Sequence, residues 1–139
     1  MKDSNIQNGK VMQKTITRRI LIVSKPDAEC KILYDILKGY GIVDIACSGQ
    51  RALEKIGSHS YDLIVTEASM PLMDGIEFYK EAVNHNQALK SRFLFFTGSL
   101  ARYYMKFFAD NDLPFIYRPL RAGLLREAVE EMLYNTCRT

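Results

Sequence analysis

The chain has 139 residues, enough for one domain with one sizeable core, and its 47% apolar and 25% charged residues are ordinary for a soluble globular protein. No apolar run approaches the roughly 20 residues that span a bilayer. The opening MKDSNIQNGKVMQK lacks the apolar stretch of a secretory leader, so a cytoplasmic protein is expected. The net charge of +3 is concentrated at the start: in residues 1–19 five cations face only Asp3, a net +4, so the remainder carries −1. A basic tail on a near-neutral domain argues poorly for nucleic acid. Cys30, Cys47 and Cys137 have no CxxC spacing, which suggests neither a disulfide framework nor a zinc site. Cys30 and Cys47 are expected in the core and Cys137 as a free thiol in the tail.

Residues 1–18 lack sustained periodicity and read as a flexible basic lead-in. Short β-rich runs then alternate with amphipathic helical segments. Ile20–Val23 is continuously apolar, as expected of a parallel strand covered on both faces. A helix over about Asp27–Lys38 follows, with Cys30, Leu33 and Leu37 on one face, and Gly39 and Gly41 offer stop chemistry. Ile42–Ala46 reads as the second strand, and Ser48 can cap a short helix carrying Ala52, Leu53 and Ile56. Leu63–Thr66 is the third strand. Its helix opens at Asp74, where Asp74-x-x-Glu77 has the form of a capping box, and Ile76, Tyr79 and Val83 recur at helical spacing. Phe93–Phe96 is the fourth strand, and Ser99 is placed to cap a helix over about Leu100–Ala109. Phe115–Tyr117 is the fifth strand. The last helix, about Arg121–Leu133, carries Leu124, Leu125, Ala128, Val129 and Met132, and residues 135–139 form a short tail.

Five β-α units over residues 19–134, with no second composition class, imply a single α/β domain: a doubly wound parallel sheet with helices on both faces. In such folds ligands bind outside the carboxyl ends of the strands. Ser24 and Lys25 follow the first strand, Glu67 ends the third, Thr97 follows the fourth, and Arg118 follows the fifth, ahead of Pro119. Strand ends also favour polar residues simply because they meet solvent, so spacing alone leaves a site and a solvated edge both open. His59 and His85 lie in polar stretches without ligand spacing and read as surface residues.

The segments ILIVSKPD, YDLIVTEASMPLMDGIEF, FLFFTG and FIYRP resemble, in order and spacing, the CheY-like response-regulator receiver family, with MPLMDG (Met70–Gly75) the most specific piece. The resemblance implies a flavodoxin-like fold of five strands in order 2-1-3-4-5 with five helices. It also implies a role in two-component phosphorelay signalling rather than an enzyme's, with a histidine kinase or other signalling protein as partner. In this family an acidic pair after the first strand binds magnesium, an aspartate ending the third accepts the phosphoryl group, and a Thr or Ser and a Lys contact it. Carried over by position, the acidic pair falls on Ser24 and Lys25, the phosphoacceptor on Glu67, the hydroxyl on Thr97, the lysine on Arg118 before Pro119, and the aromatic switch position on Phe115. The usual site has a local charge of about −2 that calls for a divalent cation. Glu67 against Lys25 and Arg118 gives about +1, so the magnesium site is expected to be lost, with no metal or other cofactor. The longer Glu67 side chain then reads either as a permanent imitation of the phosphorylated state, paired with Lys25, Arg118 or Thr97, or as a solvated residue of a drifted pocket.

The leading expectation is therefore a pseudo-receiver, a protein-interaction module. The alternatives are a receiver phosphorylated on Glu67 or another acceptor, a flavodoxin-like cofactor binder, for which SKPDAE is a poor phosphate loop, and a DNA-binding protein, for which about five residues after the last helix leave no room. Neither nucleic acid nor membrane is an expected partner. The aromatic fourth helix offers two faces, Tyr103 with Phe107 and Tyr104 with Phe108. The receiver pattern puts Tyr104 and Phe108 outward, as a surface for a partner or a homodimer formed by the fourth helix, fifth strand and fifth helix. A widened core using both pairs is the plainer alternative.

Overall fold

The computed structural model describes residues 17–134, so the lead-in short of residues 17–18 and the tail with Cys137 lie outside the described residues. Strands β1 (Arg19–Val23), β2 (Ile42–Ala46), β3 (Leu63–Glu67), β4 (Phe93–Thr97) and β5 (Phe115–Tyr117) form one parallel sheet in the order β2-β1-β3-β4-β5. Helices α1 (Ala28–Leu37) and α5 (Ala122–Tyr134) cover one face. Helices α2 (Gly49–Ser58), α3 (Gly75–His85) and α4 (Arg102–Asp110) cover the other. The alternation of side chains along each strand separates two cores. Ile20, Ile22, Val65, Leu94 and Phe96 meet Leu33, Leu37, Leu125 and Val129; Leu21, Val23, Ile64, Phe93 and Phe95 meet Ala52, Phe78, Tyr79 and Phe108. Strands β1, β3 and β4 lie inside the sheet and are apolar on both faces, whereas the edge strands β2 and β5 mix buried and exposed positions. Among the described residues no helix is long and apolar enough to cross a membrane.

The helix starts follow local chemistry. Asp27 accepts from the Cys30 N–H at 2.9 Å and Ser48 from the Arg51 N–H at 3.1 Å. Asp74 and Glu77 complete a reciprocal capping box at 2.9 and 3.2 Å. Ser99 does not cap α4. Its N–H and carbonyl are both held by the Thr97 hydroxyl, which fixes it in the turn before the helix, so α4 begins at Arg102 with Ala101 at its cap position. A short 3-10 turn, Gln87–Ser91, was not signalled by periodicity; it plugs Leu89 into the core beside α3.

Three expectations about burial fail. Cys47 is exposed, because Ala46 is the last residue under cover before the chain leaves β2. Leu124 is 50% exposed, one position off the buried stripe of Leu125, Val129 and Leu133. The outward placing of Tyr104 and Phe108 is also wrong. Phe108 is 1% exposed, with its ring 4.9 Å from those of Phe95 and Phe115. Tyr104, Met105 and Phe107 pack on the same cluster. The stripe 104-105-107-108 covers the rings that β4 projects, so α4 widens the core and leaves Tyr103, at 57%, outside. His59 and His85 are exposed, as expected of surface residues.

Asp44, in the middle of β2, is the polar tie at the sheet's other edge. Its carboxylate accepts from the Tyr61 hydroxyl at 2.6 Å and Arg19 Nη1 at 2.9 Å. Burial alone would raise its pKa, but the bonds from Tyr61 and Arg19 outweigh that and hold it below the ordinary carboxylate range. A depressed folded-state pKa adds stability that is present above the unfolded value, about 3.9, and is lost as pH falls through the folded one. Asp44→Asn should therefore cost about 1–2 kcal/mol at pH 7, and urea midpoints of variant and wild type should converge as pH falls below the ordinary carboxylate range and through the depressed folded-state pKa of Asp44. Parallel acid limbs in the two proteins would contradict this account.

Candidate functional site

The carboxyl ends of β1, β3, β4 and β5 bring Ser24, Lys25, Glu67, Thr97 and Arg118 to one edge of the sheet. Ser24 and Thr97 are buried and Glu67 is 6% exposed. The loop after β3 is held down by Gly75, the first residue of α3. Its N–H donates to the Ala68 carbonyl at 2.8 Å, and a Cβ there would collide with the Glu67 carbonyl oxygen. The glycine that closes MPLMDG thus lets α3 start directly against the strand that carries Glu67.

Both oxygens of Glu67 are engaged. Oε2 accepts from the Ser24 hydroxyl at 2.9 Å and the Lys25 backbone N–H at 3.3 Å. Oε1 accepts from Arg118 Nη2 at 3.3 Å. The expected pairing with Arg118 is present, while Lys25 contributes its main chain rather than its ammonium to this carboxylate. Thr97 is brought to the edge, but its hydroxyl serves Ser99, accepting from its N–H at 3.0 Å and donating to its carbonyl at 3.1 Å. The Arg118-Pro119 peptide is cis. Phe115, on β5, lies half out of the surface with its ring stacked on Phe108.

Arg118 has a second and closer partner that sequence reasoning missed. Its Nε donates to Glu29 at 2.9 and 3.0 Å, and its Nη2 donates to Glu29 Oε1 at 2.8 Å. These bonds, partly opposed by burial, hold the Arg118 pKa above its ordinary value. Glu29 sits in the first turn of α1. In the sequence its only signal is a carboxylate near a helix N-terminus, which needs no tertiary partner. Both carboxylates pair with the Arg118 guanidinium, and counting Glu29 with Glu67 against Arg118 and Lys25 brings the expected local charge from +1 to near zero.

This donor set does not fit a hard divalent cation. Where carboxylates would be needed after β1 there is a hydroxyl and an N–H, the Glu67 oxygens already accept from protein donors, and the Arg118 guanidinium lies among them. Among the described residues no group of three or more His, Cys, Asp or Glu is arranged to hold a metal.

Residues 20–130 match the model of the response regulator receiver domain. The chain belongs to this family. It is 30% identical over 118 residues to the transcriptional regulatory protein ZraR of Klebsiella oxytoca, which covers 84% of this chain and 26% of ZraR. It is 30% identical over 131 residues to Histidine kinase 5 of Arabidopsis thaliana, 89% of this chain and 14% of the kinase. The chain thus spans about a quarter or less of the length of these relatives. The chemotaxis protein CheY of Bacillus subtilis is 40% identical over 68 residues, 48% of this chain and 57% of CheY. The CheY-like receiver domain protein of Methanospirillum hungatei JF-1 superposes with a TM-score of 0.77 at 24% identity, covering 86% of this chain and 96% of that one. Vibrio cholerae CheY4 gives 0.76 at 20% identity, covering 85% and 100%. The expected receiver fold and its place in two-component signalling are thereby established.

Because Gly75 has no room for a side chain, Gly75→Ala should destabilise the domain by about 1–3 kcal/mol and shift amide resonances of Glu67 and Ala68. An unchanged denaturation midpoint would show that the α3 start yields without loss.

Proposed function

We propose that this receiver domain is a cytoplasmic protein-interaction module of two-component signalling whose phosphoacceptor position is closed. The observation that carries the reading is that both Glu67 oxygens are held by protein donors, with Ser24 and Lys25 in place of a metal-binding acidic pair. A nucleophilic carboxylate oxygen has to be free to attack phosphorus, and the charge that develops on the phosphoryl oxygens has to be met by a cation. Here the oxygens are occupied, the donor set does not suit magnesium, and the Thr97 hydroxyl is turned to its own turn. The arrangement also supports Glu67 as a fixed imitation of an occupied site, since its carboxylate already draws Arg118 inward. The competing reading, a receiver phosphorylated on Glu67 or elsewhere, makes the opposite forecast for one measurement. Incubation with acetyl phosphate and magnesium, followed by intact-mass measurement, should leave the mass unchanged; a stoichiometric gain of one phosphoryl group would establish the competing reading instead.

For the partner surface we propose the face made by β5 and α5, where Phe115, Tyr117 and Leu124 expose apolar area around a shallow groove floored by Ile116 and Ala128. Such clustered aromatic and aliphatic area supports a homodimer through the fourth helix, fifth strand and fifth helix, or a signalling partner seated there. Tyr103, not Phe108, is the aromatic that α4 can add. The double change Tyr117→Ser with Leu124→Ser should weaken self-association at least about tenfold in sedimentation equilibrium and leave the far-ultraviolet circular dichroism intact. Identical association constants for the two proteins would remove this face from the proposal.

A further inference from the structure

We infer that the Arg118 guanidinium is the resident cation of the pocket, tethered to the chain and doing there what a bound divalent ion would do for two converging carboxylates. The inference rests on the reading of the site as closed and adds why it stays closed whatever the metal concentration. A single nitrogen, Nη2, lies 2.8 Å from Glu29 Oε1 and 3.3 Å from Glu67 Oε1, so one group neutralises carboxylates brought from α1 and from β3. Nε and Nη2 together form a planar fork on Glu29, a geometry an ammonium cannot supply. The guanidinium has a built seat. Its carbon lies 5.0 Å from the centre of the Phe96 ring, and Gly98 is so close that a Cβ there would stand 3.5 Å from Nη1. The three residues come from separate elements, 89 and 51 positions apart in the chain, so the cation also pins α1 to the loop after β5. A tethered cation does not dissociate, and it excludes a free one by charge as well as by space.

Removing the guanidinium should convert the pocket into one that accepts a free cation. In the full chain, the thermal midpoint is followed against magnesium chloride, with sodium chloride of matched ionic strength as control. Wild type should not respond beyond the control. Arg118→Ala should gain a saturable rise of about 4–6 °C at ten times its dissociation constant, and Arg118→Ala with Glu29→Gln should lose it again. Arg118→Gln, which removes the charge but keeps part of the aliphatic stem and a polar end, repeats the titration. If Arg118→Ala does not fold in metal-free buffer, magnesium-dependent recovery of its circular dichroism decides the same question. Flat titrations in both Arg118 variants overturn the inference, as does a wild-type response as large as theirs, or a response that survives Glu29→Gln. The closed-site reading stands apart from these outcomes, because it fails on the wild-type mass measurement alone.

Discussion

A carboxylate buried at the end of a central strand has to be neutralised and hydrogen-bonded, and that requirement organises this end of the molecule. Glu67 is enclosed by β1, β4 and the start of α3, where an unpaired charge would be expensive. Its satisfaction recruits the Ser24 hydroxyl and Lys25 N–H from β1's end and Arg118 from β5's end. Arg118 in turn recruits Glu29 from α1. Three elements, β1, β5 and α1, are thereby referenced to one side chain on β3. The lack of room at Gly75 serves the same end, because it holds α3 against the backbone of Glu67 itself.

The opposite end of the sheet solves a related problem with different pieces. Asp44 is a carboxylate on an edge strand facing a core, and it is met by Tyr61 and Arg19. Arg19 also uses its backbone, whose N–H donates to Asp62 at 2.9 Å. Polar ties at both ends fix the register of β1 against β2 and β3, while the apolar middles of the strands, equally hydrophobic at several offsets, would specify it less sharply.

The fold was legible because β1, β3 and β4 are buried on both faces and so are written as unbroken apolar runs. Polar residues mark where those runs end. Ser48 and Asp74 announced their helices through local hydrogen bonds that need only neighbouring residues. Ser99 has the same chemistry yet was misread, since Thr97 claims its backbone first. Phe108 was misplaced because helical spacing states only which residues share a face, and the receiver pattern supplied the outward direction; the rings of Phe93 and Phe95 draw that face inward here. Glu29 was invisible for a stronger reason. Its partner lies 89 residues away, and a glutamate in the first turn of a helix is already accounted for by the helix itself. The site's strand-end residues were readable from position, whereas its charge balance was not, because the balancing carboxylate comes from a helix.

That balance bears on why glutamate, and not aspartate, fits this pocket. The donors to Oε2 belong to the end of β1 and the donor to Oε1 belongs to the end of β5, on the far side of β4 from β3. A carboxylate that answers both must stand out beyond the end of its own strand, and the extra methylene moves it that way. A shorter side chain would draw the carboxylate back toward β3 and lengthen the contact to Arg118, which at 3.3 Å is already the longer of the two that Nη2 makes. Arg118 is likewise matched to its distance, reaching Glu29 with two nitrogens while a third approaches Gly98. The residues that depart from the receiver pattern at Ser24, Glu67 and Arg118 therefore fit one another. Ser24 and Arg118 donate to Glu67 with their side chains, position 25 donates only through its backbone N–H, and with Glu29 counted the pocket is near neutral from its own side chains.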